Sequence, residues 1–328
     1  MKLIVARAGF LTTVQDSGRT GMRQFGVSTG GALDAHGMRV ANLLAGNSDT
    51  AAGLEITSGT VRLRFDQARI VAWVGGEYLV AAGAFPVPPG RPALVNAQEE
   101  LVVTGPSRGC RAWLAISGGI DVPMVLGSRS TDLRASFGGG QGRALRDGDE
   151  LPLGLPAPLS QRLIHSLGTI KTTPWRAPSA WVSPAKSAPR LRVLRGNDWE
   201  SFVPSAQRAF LSEKFTVSAE SDRMGARLEG PLLERKERTD LVSEAVVAGT
   251  VQVPPGGLPI LLLGDCQTIG GYPKIGHVIT VDLARAAQLS QGEQVWFREV
   301  LLAEAQHLLW EREKDFQRFQ IGLSLHCE

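Results

Sequence analysis

The stretch Leu261 to Leu283, LLLGDCQTIGGYPKIGHVITVDL, breaks an apolar run with an acid, a thiol, an amide, a hydroxyl, two glycines, a phenol and an ammonium. A second β-rich run then follows at once. A plain hairpin needs about two to five turn residues, and Asp265 to Gly276 is much longer. Loops carried by a rigid sheet are where function collects. Gln267, and Gln252 from the preceding GTVQVPPGG, offer amide donors and acceptors. Tyr272 offers a phenol and Lys274 an ammonium. Gly270 and Gly271 permit a ligand to approach the backbone closely. Such groups can hold a neutral amide or an oxyanion. Pro273 fixes its own φ and restricts Tyr272, so the loop is stiffer than its glycines suggest. Lys274, Tyr272 and Gln267 are therefore candidate catalytic residues. Gln252, Thr268, Gly270 and Gly271 are candidate substrate-binding residues. A solvated loop lysine is the plainer alternative for Lys274. The cluster holds no Ser-His-Asp triad, since His277 is its one histidine. Cys266 reads as a small buried residue, because nothing near it marks a thiolate.

Three further stretches carry chemistry-bearing residues. In SAESDRMGARLEGPLL, Arg223 and Arg227 stand four apart, and Asp222 can buttress an arginine. A guanidinium suits a carboxylate, a phosphate or a ureido-type carbonyl. Arg223 joins the candidate catalytic set, with a structural ion pair as its alternative. Arg223, Gln252, Gln267, Tyr272 and Lys274 are expected to line one cleft, and Arg227 to point into a barrel. In the stretch from Ala115 to Leu145, Ser117 and Gly118 are candidate substrate-binding residues, since SGG can bare backbone N–H groups toward an anion. GGGQGR resembles a phosphate-cradling loop only loosely, and no Walker-type motif occurs. Turns around a β-barrel are the alternative there. In the stretch from Thr12 to Asp34, Gln15, Asp16 and Arg19 are expected to form a local hydrogen-bonded turn.

These loops need strands to carry them. Runs such as KLIVAR, TVRLRF, RIVAWVG, ELVVTG and RAWLAIS, bounded by Gly, Pro, Asp or Ser at roughly 8–12-residue spacing, predict a mainly β protein with a few helices. The halves look alike in outline and predict two β-barrel-like domains. GALDAHGMRVANLLAGN is helical, with Asp34 able to cap its start and Gly46-Asn47 its end. SAQRAFLSEKF is a short helix capped by Ser205. The expected division is an N-terminal domain at 1–155, a Pro-rich linker or extended segment at 156–189, a second β domain at 190–300 and an amphipathic helix at 301–328. That helix is expected to pack on the body or on a twin copy of the chain, so homodimerisation is open.

Composition bounds the rest. The chain has 328 residues, 43% hydrophobic and 20% charged, with net charge +3 and no basic run, which argues against nucleic acid. Cys110, Cys266 and Cys327 are odd in number and far apart, so neither a disulfide framework nor a metal site is expected. The N-terminus lacks a signal-peptide h-region, and no segment reaches about 18 apolar residues, so the expected location is cytoplasmic with no membrane span.

LTTVQDSGRTGMRQFGVSTGGALD, SGGIDVPMVLGSRSTDL, SDRMGARLEGP, VQVPPGGLPILLLGDCQTIGGYPKIGHVITVDLARAAQL and GEQVWF together resemble the biotin-dependent carboxyltransferase family. The likeness is to its KipA-like members in particular, also called the C component of 5-oxoprolinase or allophanate hydrolase subunit 2. The resemblance covers roughly residues 3 to 300. It implies a cyclophilin-like barrel in the second half. It also implies work beside a KipI-like B component and a LamB/YcsF-like A component, in ATP-dependent opening of 5-oxo-L-proline to L-glutamate. A lactam is a stable amide. Phosphorylating its carbonyl oxygen creates a leaving group and an electrophilic carbon that water can attack. The missing Walker motif means that ATP is held by another scheme or mainly by a partner, shared with the partner subunits, and the missing A-M-K-M motif means no covalent biotin on this chain. Alternatives are a carboxyltransferase component acting on urea or a related amide, and a regulatory protein that binds a KipI-like kinase inhibitor.

Overall fold

The computed structural model describes residues 1–168, 171–182, 189–237 and 241–326. Cys327 lies outside them. The chain divides into two compact units. The first comprises Met1–Arg19, Gly30–Pro184 and Asp315–Glu328, and the second Thr20–Thr29 and Ala185–Lys314.

The first unit holds β1 (Lys2–Ala8), β2 (Leu11–Gln15), α1 (Ala35–Leu44), β3 (Gly53–Thr57), β4 (Gly59–Phe65), β5 (Arg69–Gly75), β6 (Leu79–Ala82), β7 (Phe85–Pro86), β8 (Ala93–Val95), β9 (Glu100–Gly105), β10 (Arg111–Ile116), β11 (Glu150–Pro152) and α2 (Pro158–Leu167). Its strands form a six-stranded sheet, β11-β1-β4-β9-β6-β7, and a five-stranded sheet, β2-β3-β10-β5-β8. In β4, Val61, Leu63 and Phe65 are buried while Arg62 and Arg64 face water, the period of two expected of a half-buried strand. In contrast, β5 is buried throughout. Val71 and Trp73 join the main core, and Ile70, on the other face, packs with Leu94, Leu163 and Leu167.

That second contact corrects one part of the expected Pro-rich linker or extended segment at 156–189, since its start is helical. Pro158 starts a helix, because a first-turn proline loses no intrahelical bond. Leu159, Leu163 and Leu167, spaced by four, then form the stripe that packs on the sheet. Further along, Lys171 C=O accepts from Leu94 N–H at 2.7 Å, and Ala177 N–H donates to Gly90 C=O at 2.9 Å, so this segment lies along the first unit. Asp34 caps α1 as expected, accepting from Gly37 N–H at 2.8 Å.

The second unit holds β12 (Arg190–Arg195), α3 (Pro204–Ser212), β13 (Phe215–Val217), β14 (Gly225–Glu229), β15 (Glu244–Ala245), β16 (Thr250–Gln252), β17 (Ile260–Leu262), β18 (Ile269–Gly270), β19 (Lys274–Val278), α4 (Leu283–Ala286) and β20 (Gln294–Glu299). Seven strands close into a barrel, β12-β19-β16-β17-β14-β13-β20, and β15 and β18 form a separate ribbon. Parallel pairing of β12 with β20 joins the first and last strands of the unit. The rings of Phe210 and Phe297 stack at 4.5 Å in its core. Here α3 starts at Pro204, and Ser205 does not cap it, since the N-cap position falls on Val203. A last helix, α5 (Leu302–His326), buries Phe316 under the Arg39 guanidinium at 3.9 Å. Among the described residues no helix is long and apolar enough to cross a membrane.

The turn around Asp16 is long-range rather than local. Its carboxylate accepts from Ser128 and Ser130 hydroxyls, both at 2.6 Å, from Arg129 N–H at 2.6 Å and from Gly18 N–H at 2.8 Å. Buried Arg19 donates to Ser130 C=O and lies over the Phe137 ring at 4.5 Å. Asp16→Ala leaves several buried donors without an acceptor, so we expect a loss of about 3 kcal/mol in urea unfolding. An unchanged midpoint would refute the role of this carboxylate as an anchor.

Candidate functional site

The strand β19 begins at Lys274, so that lysine is not a loop residue. Its side chain is 8% exposed. A buried ammonium requires an anion, and two are present. The Lys274 Nζ lies 3.0 Å from Glu244 Oε2 and 3.7 Å from Asp198 Oδ2. The Asp198 carboxylate also accepts from Lys274 N–H at 2.8 Å. Across the barrel register, Gln252 stands opposite Lys274 at a bulge between Val251 and Gln252. Bulges re-aim side chains. Buried Gln252 donates Nε2 to Tyr272 C=O at 3.2 Å and accepts at Oε1 from Gln267 Nε2 at 3.3 Å. Gln252, Gln267 and Lys274 thus meet in one polar cluster with Asp198 and Glu244.

Gly270 matters here for a reason other than ligand access. A Cβ on it would come 2.7 Å from Gln252 Nε2, so the absent side chain makes room for the protein's own amide. A Cβ on Gly271 would come 3.1 Å from Leu241 C=O. Thr268 is buried, and its C=O accepts from Val246 N–H at 3.1 Å. The Arg23 guanidinium donates to Val246 C=O, with Thr268 C=O at 3.5 Å.

Arg223 stands apart from that cluster. Its guanidinium grips Asp265 through Nε at 2.8 Å and Nη2 at 3.0 Å, and both side chains are buried. This is the structural ion pair. Asp222 buttresses no arginine among the described residues. Its carboxylate accepts from the Met224 and Gly225 N–H groups at 2.8 and 3.1 Å, closing a turn. Arg227 does not enter the barrel, because Ala226 and Leu228 take the inward positions of β14 and the alternation turns Arg227 outward. Cys266 is fully buried beside Val246 and Leu262, and burial pushes its thiol up. Ser117 and Gly118 belong to the first unit and bare no N–H groups. Ser117 N–H donates to Ile70 C=O at 2.8 Å, and Gly118 N–H to Asn47 Oδ1 at 2.8 Å.

A cleft of about 510 Å³ opens beside the cluster, lined by Leu232, Arg235, Leu241, Val253, Pro254 and Tyr272 among others. Gly271 and Tyr272 are the only residues of the expected site on its wall. Arg223, Gln252, Gln267 and Lys274 do not line it, since their side chains are engaged with the chain itself. The expectation of one shared cleft is corrected accordingly. Asp198, Glu244 and Arg235 escape a reading of the sequence. An acid following β12 and another 46 residues later carry no local mark of their shared partner Lys274. Arg235 lies in the charged run ERKE, which reads as solvated surface.

The geometry makes Lys274 a positioning group for the 267–273 loop. Lys274→Met strands Asp198 without its cation, and we expect a loss of about 2 kcal/mol, between exposed and buried pairs, in urea unfolding. An unaltered midpoint would show that the charge is dispensable. His277, next along β19, has its pKa lowered by burial. A depressed folded value means that the unfolded chain binds the proton more tightly. Stability from this residue is therefore full above pH 6.5 and falls as pH drops below it. His277→Gln should flatten that part of the profile of melting temperature against pH. A variant with the wild-type acid slope would assign it elsewhere.

Comparison with known proteins places the geometry in a lineage. The carboxyltransferase domain, subdomain A and B, matches residues 25–299. The C subunit of Escherichia coli 5-oxoprolinase is 38% identical over 99% of both chains. Its Haemophilus influenzae counterpart is 34% identical over 90% of both. The crystal structure of the K. lactis urea amidolyase superposes with a TM-score of 0.87 at 29% identity, covering 97% of this chain but only 20% of that one. The chain belongs to the carboxyltransferase family defined by subdomains A and B.

Proposed function

We propose that this chain is the C subunit of an ATP-dependent 5-oxoprolinase, opening 5-oxo-L-proline to L-glutamate in the cytoplasm beside KipI-like and LamB/YcsF-like subunits. The observation that carries the reading is end-to-end likeness to the E. coli protein, 99% of each chain, against a match to one fifth of the urea amidolyase. The chemistry of the bond fits a divided enzyme. A lactam carbonyl needs activation before water attacks it, and one component can contribute by binding and orienting the ring.

The residues of this chain do not fit the phosphates of ATP at its glycine-rich loop. Gly139 N–H donates to Arg129 C=O at 2.9 Å, and Gly142 N–H to Gly138 C=O at 2.7 Å. The space beside Gly138 and Gly139 is filled by Ser130 and Thr131. Two of the loop's N–H groups and the space beside two of its glycines are taken by the chain itself, and the reading assigns ATP to the partners. Carboxyl transfer to a urea-type amide is the second reading, favoured by the 0.87 superposition. In that case biotin arrives on another protein.

The test measures ATP hydrolysis and glutamate release by the purified chain, alone and with both partner subunits. We expect near-inactivity alone and coupled turnover in the complex. Robust turnover by the isolated chain would sink the reading of a divided enzyme, as would biotin-dependent carboxylation of urea without glutamate release. Binding to a KipI-like protein with no turnover in any combination would favour a regulatory role.

A further inference from the structure

Lys274 has two carboxylates for one ammonium, and the two are held differently. Asp198 is 22% exposed and also accepts from the Lys274 N–H, which fixes it to the start of β19. Glu244 is 59% exposed, yet it makes the shorter contact with Nζ, 3.0 Å against 3.7 Å. One buried ammonium needs one anion. Asp198 meets that need, so Glu244 is the partner that can leave.

The segment that carries Glu244 is lightly tied. Residues 242–245 are all exposed. Among the described residues, the backbone of 241–245 is bonded only through the ribbon pairs Glu244–Gly270 and Ala245–Ile269. Its one side-chain hydrogen bond there is that of Glu244 with Lys274. The fixed end comes next, where buried Val246 packs on Leu262 and Cys266 and its C=O accepts from Arg23. An exposed segment with few ties opens more readily than the barrel that carries it. It also lies against the loop of the cleft. A Cβ on Gly271 would come 3.1 Å from Leu241 C=O and 3.3 Å from Ser243 Oγ, and Leu241 and Gly271 both line the cleft.

We propose that residues 241–245 form a strap latched by Glu244, and that a small ligand bearing a carboxylate displaces Glu244 from Lys274. The inference rests on the proposed function for its ligand, the 5-oxo-L-proline anion. In the latched chain the Glu244 carboxylate stands where the ligand carboxylate is to bind. When the ligand takes that place, Lys274 stays neutralised, Asp198 keeps its bonds and the strap lifts from the Gly270–Gly271 turn. One carboxylate replaces another, so the charge of the buried cluster is unchanged. A neutral amide offers the ammonium no charge and does not open the latch. The latched fraction of the chains lowers the apparent affinity for the ligand by that fraction.

The test reads the two halves of one ion pair, which should respond in opposite directions. In the assembled complex, Glu244→Gln should lower KM for 5-oxo-L-proline about threefold to fivefold, the factor set by an ion pair with an exposed partner. Lys274→Met should raise KM at least about tenfold, the loss of one charge-assisted hydrogen bond. Lys274→Arg should recover part of that loss. Inhibition by pyrrolidin-2-one, a lactam without the carboxylate, should be the same in all of them. Amide hydrogen exchange on the isolated chain reads the latch without any ligand: residues 241–245 should exchange faster in Glu244→Gln, with β16 unchanged. Where Lys274→Met melts early, Glu244→Gln, at an exposed position, decides through its KM and its exchange. A KM raised by both substitutions, as for a purely structural pair, would overturn the latch and leave the oxoprolinase reading standing. Unaltered exchange of 241–245 in Glu244→Gln would overturn it likewise. A wild-type complex that releases no glutamate would remove the oxoprolinase reading and this ligand together.

Discussion

A lysine ammonium shielded from water has to be neutralised nearby, and the second unit is arranged around that requirement. Lys274 is fixed by β19, yet its two carboxylates come from elsewhere: Asp198 from the turn after β12 and Glu244 from the ribbon strand β15. Removing one partner of such a set leaves a charge without compensation, which is far more costly than never having buried it. The ion cluster therefore holds three segments in register. Asp198 adds a bond to the Lys274 N–H, so one carboxylate secures both the main chain and the side chain of the same residue.

From that anchor the polar order passes to Gln252. The register shift where β16 meets β19 leaves Ile275 unpaired, and the Gln252 amide lies beside Gly270, where a Cβ would collide with it. The amide then bonds the Tyr272 carbonyl and the Gln267 side chain. Satisfied buried amides rigidify what they touch. One consequence is a division within a single loop. Its inward groups are consumed by the protein, while the N–H groups of Gly271 and Tyr272, on the wall of the cleft, donate to no acceptor among the described residues. Gln252, Gln267 and Lys274 are engaged behind the wall, while Gly271, Tyr272 and plainer apolar residues form its face.

How much of this was legible in the sequence follows from the range of each interaction. Strand alternation in TVRLRF and the Asp34 cap are local and could be read directly. The density of polar groups in the 265–274 loop marked the right region, because glycine beside glutamine and tyrosine in a β turn is unusual chemistry for packing alone. What escaped was pairing across distance. Arg223 and Asp265 lie 42 residues apart, and Lys274 and Asp198 lie 76 apart. Nothing in the local pattern tells an arginine that binds a ligand from one that binds its own fold. Pro158 misled for a different reason: proline ends helices but also begins them, and only the leucine stripe that follows decides between the two.

The family likeness and the physical layout bear on one question, what such a chain contributes to opening or carboxylating an amide. Both reactions face a carbonyl that resists attack, and both need it held still while another component delivers an activated group. In the glycine-rich loop of the first unit, Ser130 and Thr131 fill the space beside Gly138 and Gly139. The strongest cations of the second-unit site, Lys274 and Arg223, are committed to Glu244, Asp198 and Asp265. The cleft is lined by Leu232, Leu233, Leu241, Val253 and prolines, a largely apolar wall. That is equipment for binding and orientation, worth large factors in rate when the reactive group is supplied by a neighbour. Under the proposed function, a scaffold of this kind serves a lactam in one assembly and, in the second reading, urea in another. The change is then one of partner and of pocket wall, with the barrel and its buried lysine left as they are.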